Sequence, residues 1–249
     1  YHTTASVRNI LLNAGFSELL ESRRWQLEPG RSYFVCRNGS SILAFRMGEQ
    51  LENYSFNVAA AHTDSPCFRI KENAEIHMGR KYTKLNTEGY GGMICSTWMD
   101  RPLSVAGRVL IKENNAITSR LLTLDRDLLM IPSVAIHMNR DVNESGLKFN
   151  KQSELPLLLG VAEEGVKADA RFRQPIAAAL GVEPGDLLTW ELNAYDTQKG
   201  SLWGADREFI ADSQLDNLAS CHAALNALLA TDQPVATCLC AFFEDRKSV

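Results

Sequence analysis

A mostly apolar segment that ends abruptly in a histidine constrains the fold of this chain more than any other feature. The segment is Tyr54–Ala61, and the motif His-Thr-Asp-Ser-Pro follows it directly at positions 62–66. Such a segment predicts a β-strand that is covered on both faces, as in the central sheet of an α/β protein. His62 then lies at the carboxyl end of that strand, which is where open α/β sheets bind their ligands.

The same motif places a carboxylate beside the histidine. Residues two apart in an extended backbone point to the same face, so His62 and Asp64 are expected to lie side by side. This arrangement suits a metal site in which His62 binds zinc and Asp64 orients the imidazole or neighbouring catalytic groups. The simpler interpretation is a buried strand that ends in a polar turn, and a motif this short does not distinguish the two.

A second segment, residues 214–225, predicts an amphipathic helix that runs from Asp216 to about Ala230. Leucines recur there at helical spacing, at positions 215, 218, 225, 228 and 229. Asp216 lies near the start of this helix, where exposed backbone N–H groups favour an anion. Its carboxylate is therefore either a helix cap or a ligand that bridges two metal ions, a role that needs two oxygens in a fixed place.

The pattern between these two segments is different and indicates a second, β-rich domain. Short β-like runs follow one another at 104–112, 117–124 and 128–131, with turns between them and no long helical pattern. Outside this region, Asn38-Gly39 between two β-rich runs predicts a hairpin. A helix followed by a β-rich run at 235–243 favours a mostly parallel sheet. The sequence thus predicts an α/β domain interrupted by a β-rich one.

Composition limits the classes of partner and compartment. A net charge of −4 argues against nucleic acid and anionic membranes as partners. No apolar segment approaches the roughly 20 residues needed to cross a bilayer, and no signal peptide opens the chain. The six cysteines have no C-x-x-C spacing and lie in apolar segments, which is typical of a reducing compartment. A cytoplasmic protein is therefore expected.

Three motifs, taken together and in this order, resemble the M18 aspartyl aminopeptidases. They are His-Thr-Asp-Ser-Pro at 62–66, Tyr-Gly-Gly-x-x-x-Ser-Thr-Trp-x-Asp-Arg-x-Leu at 90–103, and Leu-Asp-Asn-Leu-Ala-Ser-Cys-His-Ala-Ala-Leu at 215–225. The resemblance extends from Tyr1 to about Cys240. It implies a zinc-exopeptidase-like α/β catalytic domain at 1–70 and 208–249, interrupted by an inserted β-rich dimerisation domain at 71–207.

The resemblance also implies a function. Family members are dinuclear zinc exopeptidases that assemble into large tetrahedral dodecamers, so the chain is expected to be a zinc metallo-aminopeptidase built from dimers. It is expected to remove N-terminal residues, preferably Asp or Glu, from peptides with a water activated by two Zn²⁺ ions. The alternative is a catalytically inactive, truncated member of the family that serves as an assembly or scaffold protein.

Specific residues acquire roles from the resemblance. His62 and Asp216 are the expected zinc ligands, with Asp216 between the two ions, and Asp64 is an expected catalytic residue. His137, a lone histidine between apolar neighbours, is by itself more typical of a core or interface residue. In the family, the histidine of the matching Ala-Ile-His segment reaches into the active site of a neighbouring subunit. The resemblance therefore implies that His137 contacts the substrate in trans.

The last residues of the sequence leave two alignments open. The family has Asp-His/Asn-Glu-Glu-Val-Gly-Ser where this chain reads Phe-Glu-Asp-Arg-Lys-Ser-Val at 243–249. One register puts Arg246 and Lys247 at the positions of the general base and the next ligand, and two cations there would repel zinc. A shift of two residues puts Glu244 and Asp245 there instead. Because the further Asp and His ligands of the family have no counterpart in this sequence, a catalytic domain truncated at its carboxyl end is expected.

Overall fold

The computed structural model describes residues 1–50, 55–79, 81–162 and 170–244, and it divides the chain into two compact units. The first unit is Tyr1–Ser65 with Ser213–Val249, and the second is Pro66–Asp212. The second unit is therefore inserted in the sequence of the first. It begins five residues before, and ends five residues after, the insert of 71–207 expected from the sequence.

The described residues contain four α-helices and thirteen β-strands. The helices are α1 (His2–Asn13), α2 (Val142–Ser145), α3 (Ala170–Leu180) and α4 (Leu215–Ala230). The strands are β1 (Ser17–Glu18), β2 (Ser32–Arg37), β3 (Ser41–Arg46), β4 (Phe56–His62), β5 (Cys67–Met78), β6 (Tyr82–Tyr90), β7 (Leu103–Glu113), β8 (Ala116–Thr123), β9 (Leu157–Val161), β10 (Leu187–Asp196), β11 (Ser201–Trp203), β12 (Phe209–Ala211) and β13 (Thr237–Phe243). Across these described ranges, no helix has the length and apolar character needed to cross a membrane.

The first unit is built on a five-stranded mixed sheet with the order β1-β2-β3-β13-β4. The predicted hairpin is confirmed: β2 and β3 are antiparallel, and Asn38 and Gly39 between them both have positive φ. The prediction of a mostly parallel sheet is wrong, because β1–β2 and β4–β13 are parallel while β2–β3 and β3–β13 are antiparallel. Because a short hairpin connects β2 and β3, β3 runs opposite to β2, and it is antiparallel to both of its neighbours in the sheet.

Two helices supply apolar side chains to the core of this unit. α4 presents Cys221, Leu225 and Leu228 at helical spacing, and all three are buried. These side chains join one apolar cluster with residues of α1, of the connection that follows it and of the sheet: Val7, Leu11, Phe16, Phe34, Ile42, Ala44, Ala61, Cys240 and Phe242. The packing holds the start of α4 close to the carboxyl end of β4.

Strand β4 differs from the sequence-based prediction. It lies at an edge of the sheet, and its first five residues are exposed, with Phe56 at 58% and Val58 at 62%. The prediction of a strand covered on both faces is therefore wrong for the structure described.

The second unit has an antiparallel six-stranded sheet with the order β8-β7-β10-β5-β6-β9, and a separate hairpin of β11 and β12. Helix α3 packs on the core of this sheet through Phe172 and Ile176. Two of the three predicted β-like runs, 104–112 and 117–124, correspond to β7 and β8. The third, 128–131, forms only isolated β-bridges, and β5 and β6 were not predicted. β5 has a register shift between Ile70 and Glu75, so the alternation of buried residues changes phase within the strand.

Candidate metal centre

The candidate site begins at the carboxyl ends of two adjacent parallel strands. His62, the last residue of β4, is the register partner of Phe243, the last residue of β13. One residue further, the Thr63 N–H donates to the Phe243 carbonyl at 2.8 Å, and the Thr63 hydroxyl contacts the same oxygen at 3.3 Å. These bonds fix His62 at the edge of the sheet where open α/β sheets bind ligands.

An irregular turn at the start of α4 brings the second ligand candidate to this edge. Asp216 and Asn217 depart from helical φ and ψ although they lie within the assigned helix, and the peptide bond between them is cis. Gln214, which precedes the helix, is in the left-handed region and makes no capping side-chain bond. The carboxylate of Asp216 lies beside the imidazole of His62, with Oδ1 3.3 Å from Nε2. The start of α4 is thus not a regular capped turn.

The imidazole of His62 lies against Asp64, whose backbone carbonyl is within hydrogen-bond distance and whose carboxylate is close to the same nitrogen. Nδ1 lies 3.0 Å from the Asp64 carbonyl and 3.3 Å from its carboxylate Oδ1. A carbonyl acceptor at Nδ1, with a carboxylate close by, favours the tautomer with the proton on that nitrogen, which leaves the lone pair of Nε2 directed toward Asp216. The Asp64 side chain is only 5% exposed, whereas that of Asp216 is 72% exposed. Asp64 is therefore placed to orient the imidazole of His62, and the carboxylate of Asp216 is accessible to a ligand.

The two facing donors fit zinc. Imidazole nitrogen and carboxylate oxygen both bind Zn²⁺ at about 2.0–2.2 Å, and two such donors on one tetrahedral ion lie roughly 3.4 Å apart. The observed separation of 3.3 Å between Nε2 and Oδ1 matches this value. Among the residues that the structure describes, no group of three or more His, Cys, Asp and Glu is arranged to hold a metal.

Two side-chain hydrogen bonds, neither of them predicted from the sequence, join the segment that carries His62 to the segment that carries Asp216. The Ser65 hydroxyl donates to the Asp216 carbonyl at 3.1 Å, and the Cys221 thiol donates to the His62 carbonyl at 3.3 Å. Burial raises the pKa of the Cys221 thiol to about 11, so it is protonated and able to donate at neutral pH. Both residues lie within the quoted motifs, but their partners are backbone atoms far away in the chain.

His137 lies in the second unit, on a short 3₁₀ turn at Ile136–Met138, and it is exposed. The interpretation of His137 as a core residue is therefore wrong for the described chain. The segment before it is attached to Asp100, whose carboxylate accepts bonds from the Ser133 N–H at 2.8 Å and the Ser133 hydroxyl at 2.5 Å. These hydrogen bonds lower the pKa of the Asp100 carboxyl. A contact between His137 and substrate stays a prediction.

The alternative ligands at the end of the chain fall only partly within the described residues. Glu244 follows Phe243 directly and is half-buried, so it lies at the same edge of the sheet as His62. Asp245, Arg246 and Lys247 lie outside the described residues. The two alignments proposed for this segment therefore stay predictions.

Comparison with known proteins places this site in a family context. The model of the family described as "Aminopeptidase I zinc metalloprotease (M18)" matches residues 1–245. A "Probable M18 family aminopeptidase 2" of Clostridium acetobutylicum is 40% identical over 99% of this chain, which spans 58% of that relative's length. The chain thus spans somewhat more than half of this curated relative.

Solved structures agree in fold. A chain in the cryo-EM structure of the Ape4 and Nbr1 complex superposes with a TM-score of 0.92 and 31% identity, over 98% of this chain and 51% of that one. The structure of Chaetomium thermophilum mApe1 gives a TM-score of 0.89 and 30% identity, over 98% of this chain and 58% of its own. Both likenesses cover the two units described above.

Proposed function

The chain belongs to the M18 family of zinc metalloproteases, and from that premise we propose that it acts as a zinc metallo-aminopeptidase on the N-terminal residues of peptides. The single observation that carries the proposal is the pair of donors, His62 Nε2 and Asp216 Oδ1, which lie 3.3 Å apart at the carboxyl edge of the first-unit sheet. This is the edge at which α/β sheets bind ligands, and the separation suits two ligands of one zinc ion.

His62 and Asp216 would hold the zinc in this proposal. The Asp216 carboxylate is largely exposed, and this supports its assignment as the ligand that two ions would share. Zinc held there would supply Lewis acidity and would activate water as a nucleophile. Asp64 keeps the proton of His62 on Nδ1, so that Nε2 retains the lone pair that a metal requires.

Two further residues have proposed roles in handling the substrate and its protons. Proton transfer from the attacking water needs a carboxylate near the metal. Glu244 is half-buried at the end of β13, which supports the alignment that assigns it this role. His137 is proposed to contact the substrate of a neighbouring subunit, and its exposure on the surface of the second unit supports that role. The preference for Asp or Glu at the peptide N-terminus rests on the likeness to aspartyl aminopeptidases.

The second unit is proposed to form a homodimer interface, from which a larger oligomer, up to a dodecamer, would be built. Its hairpin of β11 and β12 exposes four large apolar side chains, namely Leu202, Trp203, Phe209 and Ile210, at 49–65%. Exposed apolar clusters of this kind mark protein interfaces. The cytoplasm is the proposed compartment, because all six cysteines lie within the described residues and none forms a disulfide.

Zinc binding tests the proposal on the chain itself. Equilibrium dialysis should show zinc bound by the unaltered protein and lost in His62→Ala and Asp216→Ala. His77→Ala is a matched control, because His77 is an exposed histidine on β5 of the other unit. Equal zinc content in all four proteins would contradict the proposed ligands.

Activity is tested separately with reporter peptides. Release of N-terminal Asp or Glu should exceed release of Leu or Lys, stop with a chelator and return with zinc. Turnover that resists the chelator would exclude a metallo-aminopeptidase, and equal turnover of all four reporters would exclude the acidic preference.

A further inference from the structure

We propose that Ser65 and Cys221 are positioning residues that form a reciprocal brace between the two segments carrying His62 and Asp216. Each segment donates one side-chain hydrogen bond to the backbone carbonyl of the candidate ligand on the other segment. The brace holds Nε2 of His62 and Oδ1 of Asp216 at a zinc-binding separation. This inference rests on the proposed function and names residues that act on the geometry of the site without touching the metal.

The first half of the brace fixes Asp216. Ser65 lies three residues after His62, and its hydroxyl donates to the carbonyl of Asp216 at 3.1 Å. Asp216 departs from helical φ and ψ, so regular helix geometry does not determine where its carbonyl and carboxylate point. A bond from outside the helix to this residue's own backbone therefore restricts its orientation relative to His62.

The second half of the brace fixes His62. Cys221 lies one turn further along α4 than Asn217, is 3% exposed, and donates its thiol hydrogen to the His62 carbonyl at 3.3 Å. In the described sheet, β4 has a paired strand on one side only, namely β13. The thiol therefore ties the last residue of an edge strand to the helix that carries Asp216.

The two bonds are reciprocal, and this distinguishes them from ordinary core contacts. Cys240 offers the comparison within the same apolar cluster. It is buried like Cys221, and its thiol donates to the carbonyl of Ala224 at 3.2 Å, but neither residue is a candidate ligand. If both thiols have a purely structural role, Cys221→Ala and Cys240→Ala should affect zinc binding equally. If Cys221 is a positioning residue, only Cys221→Ala should weaken zinc binding.

The test measures zinc affinity by competition with a chromogenic chelator in the full chain. Ser65→Ala and Cys221→Ala should each weaken zinc binding by about 10-fold, as changes beside metal ligands commonly do. The conservative variants Ser65→Thr and Cys221→Ser keep a donor and should restore most of the affinity. Cys240→Ala should bind zinc as the unaltered protein does, even where its melting temperature falls as much as that of Cys221→Ala.

A metal-free measurement separates the brace from the proposed function. In ¹⁵N NMR spectra of the zinc-free protein, Ser65→Ala and Cys221→Ala should shift or broaden the His62 ring signals, and Cys240→Ala should not. Loss of zinc binding without a change in these spectra would overturn the brace, as would equal effects of Cys221→Ala and Cys240→Ala on affinity. If the unaltered protein binds no zinc at His62, the proposed function fails, while the ring signals still decide for or against the brace.

Discussion

At the scale of single residues, Asp64 acts on His62 through two different oxygens. Its backbone carbonyl and its carboxylate both approach Nδ1, at 3.0 Å and 3.3 Å. A substitution of the side chain removes only one of these contacts. The charge of the carboxylate also makes the imidazole a stronger donor to a cation, an effect that an amide of the same shape does not reproduce.

Asp64→Asn is therefore expected to weaken zinc binding by about 10-fold while leaving the fold intact. The carbonyl of residue 64 keeps the ring orientation, and the lost charge makes the imidazole a weaker donor to a cation. A competitive zinc titration measures the effect. Asp232→Asn, at an exposed position after α4, is the control and should bind zinc normally. Unchanged affinity in Asp64→Asn would show that the carboxylate has no part in the site.

The family resemblance selected His62, Asp64 and Asp216 as site residues, and in the structure the side chains of Asp64 and Asp216 both lie beside the imidazole of His62. Their roles stay predictions. The sequence could not decide whether Asp216 is a cap, because a capping and a bridging carboxylate occupy the same position before a helix. The non-helical φ and ψ of Asp216 are visible only in three dimensions. The sequence could not reveal the roles of Ser65 and Cys221. Both side chains bond to backbone carbonyls, and because every residue has a carbonyl, such a partner leaves no signal in the sequence.

At the scale of elements, two adjacent residues of helix α1 differ sharply in burial. Leu11 is fully buried against the sheet, whereas Leu12 is 40% exposed. The two neighbours have the same side chain and the same helix propensity, so they form a matched pair for the contribution of packing.

Leu11→Ala should lower the free energy of unfolding by about 2–5 kcal/mol, because it removes a packed side chain and leaves a cavity. Leu12→Ala should cost less than about 1 kcal/mol, since a surface substitution in a helix loses little. Urea denaturation followed by circular dichroism compares the two. Similar losses for both variants would contradict the described packing of α1.

Strand β4 is an exposed edge with apolar side chains, and such edges favour association between chains. Val58→Lys places a charge at a position that is 62% exposed, so it should reduce concentration-dependent association without lowering the melting temperature. Sedimentation velocity over a range of concentrations measures this. Ile117→Lys on β8, an edge strand of the six-stranded sheet, is the matched control. Association that persists unchanged in Val58→Lys would show that β4 does not contribute to it.

The elements that were predicted well have strong local signals. The Asn38-Gly39 turn requires positive φ, and β7 has a regular alternation of buried residues. The elements predicted poorly depend on distant partners. β4 was expected to be covered, and the position of a strand within a sheet is set by chain segments far away in the sequence. β5 contains a register shift, so its buried residues do not keep the period-2 alternation by which a strand is recognised in a sequence.

At the scale of the whole molecule, the two units differ in how the chain forms them. The second unit is continuous from Pro66 to Asp212 and has its own apolar core, whereas the first requires both ends of the sequence. Continuity and an independent core are the properties of a segment that folds alone.

A fragment of residues 66–212 is therefore expected to fold by itself and to unfold cooperatively. Dispersed amide signals in a two-dimensional NMR spectrum and a sigmoidal urea transition would demonstrate this. A fragment of residues 1–65 is the counterpart and should remain unfolded, because β13 and α4 are missing from it. A random-coil spectrum for 66–212 would show that the second unit depends on the first.

The place of β13 between β3 and β4 has a consequence for how the protein is made. Thr63 and Phe243, which bond to each other, are 180 positions apart, so β3 and β4 leave the ribosome long before the strand that separates them. At roughly 5–20 residues per second, that interval lasts about 10 to 40 s. During this time the segments that form β3 and β4 are present in the nascent chain, but β13, the strand that pairs with both of them, has not been synthesised. Chaperones that bind extended apolar segments are therefore expected to meet residues 41–62 during translation.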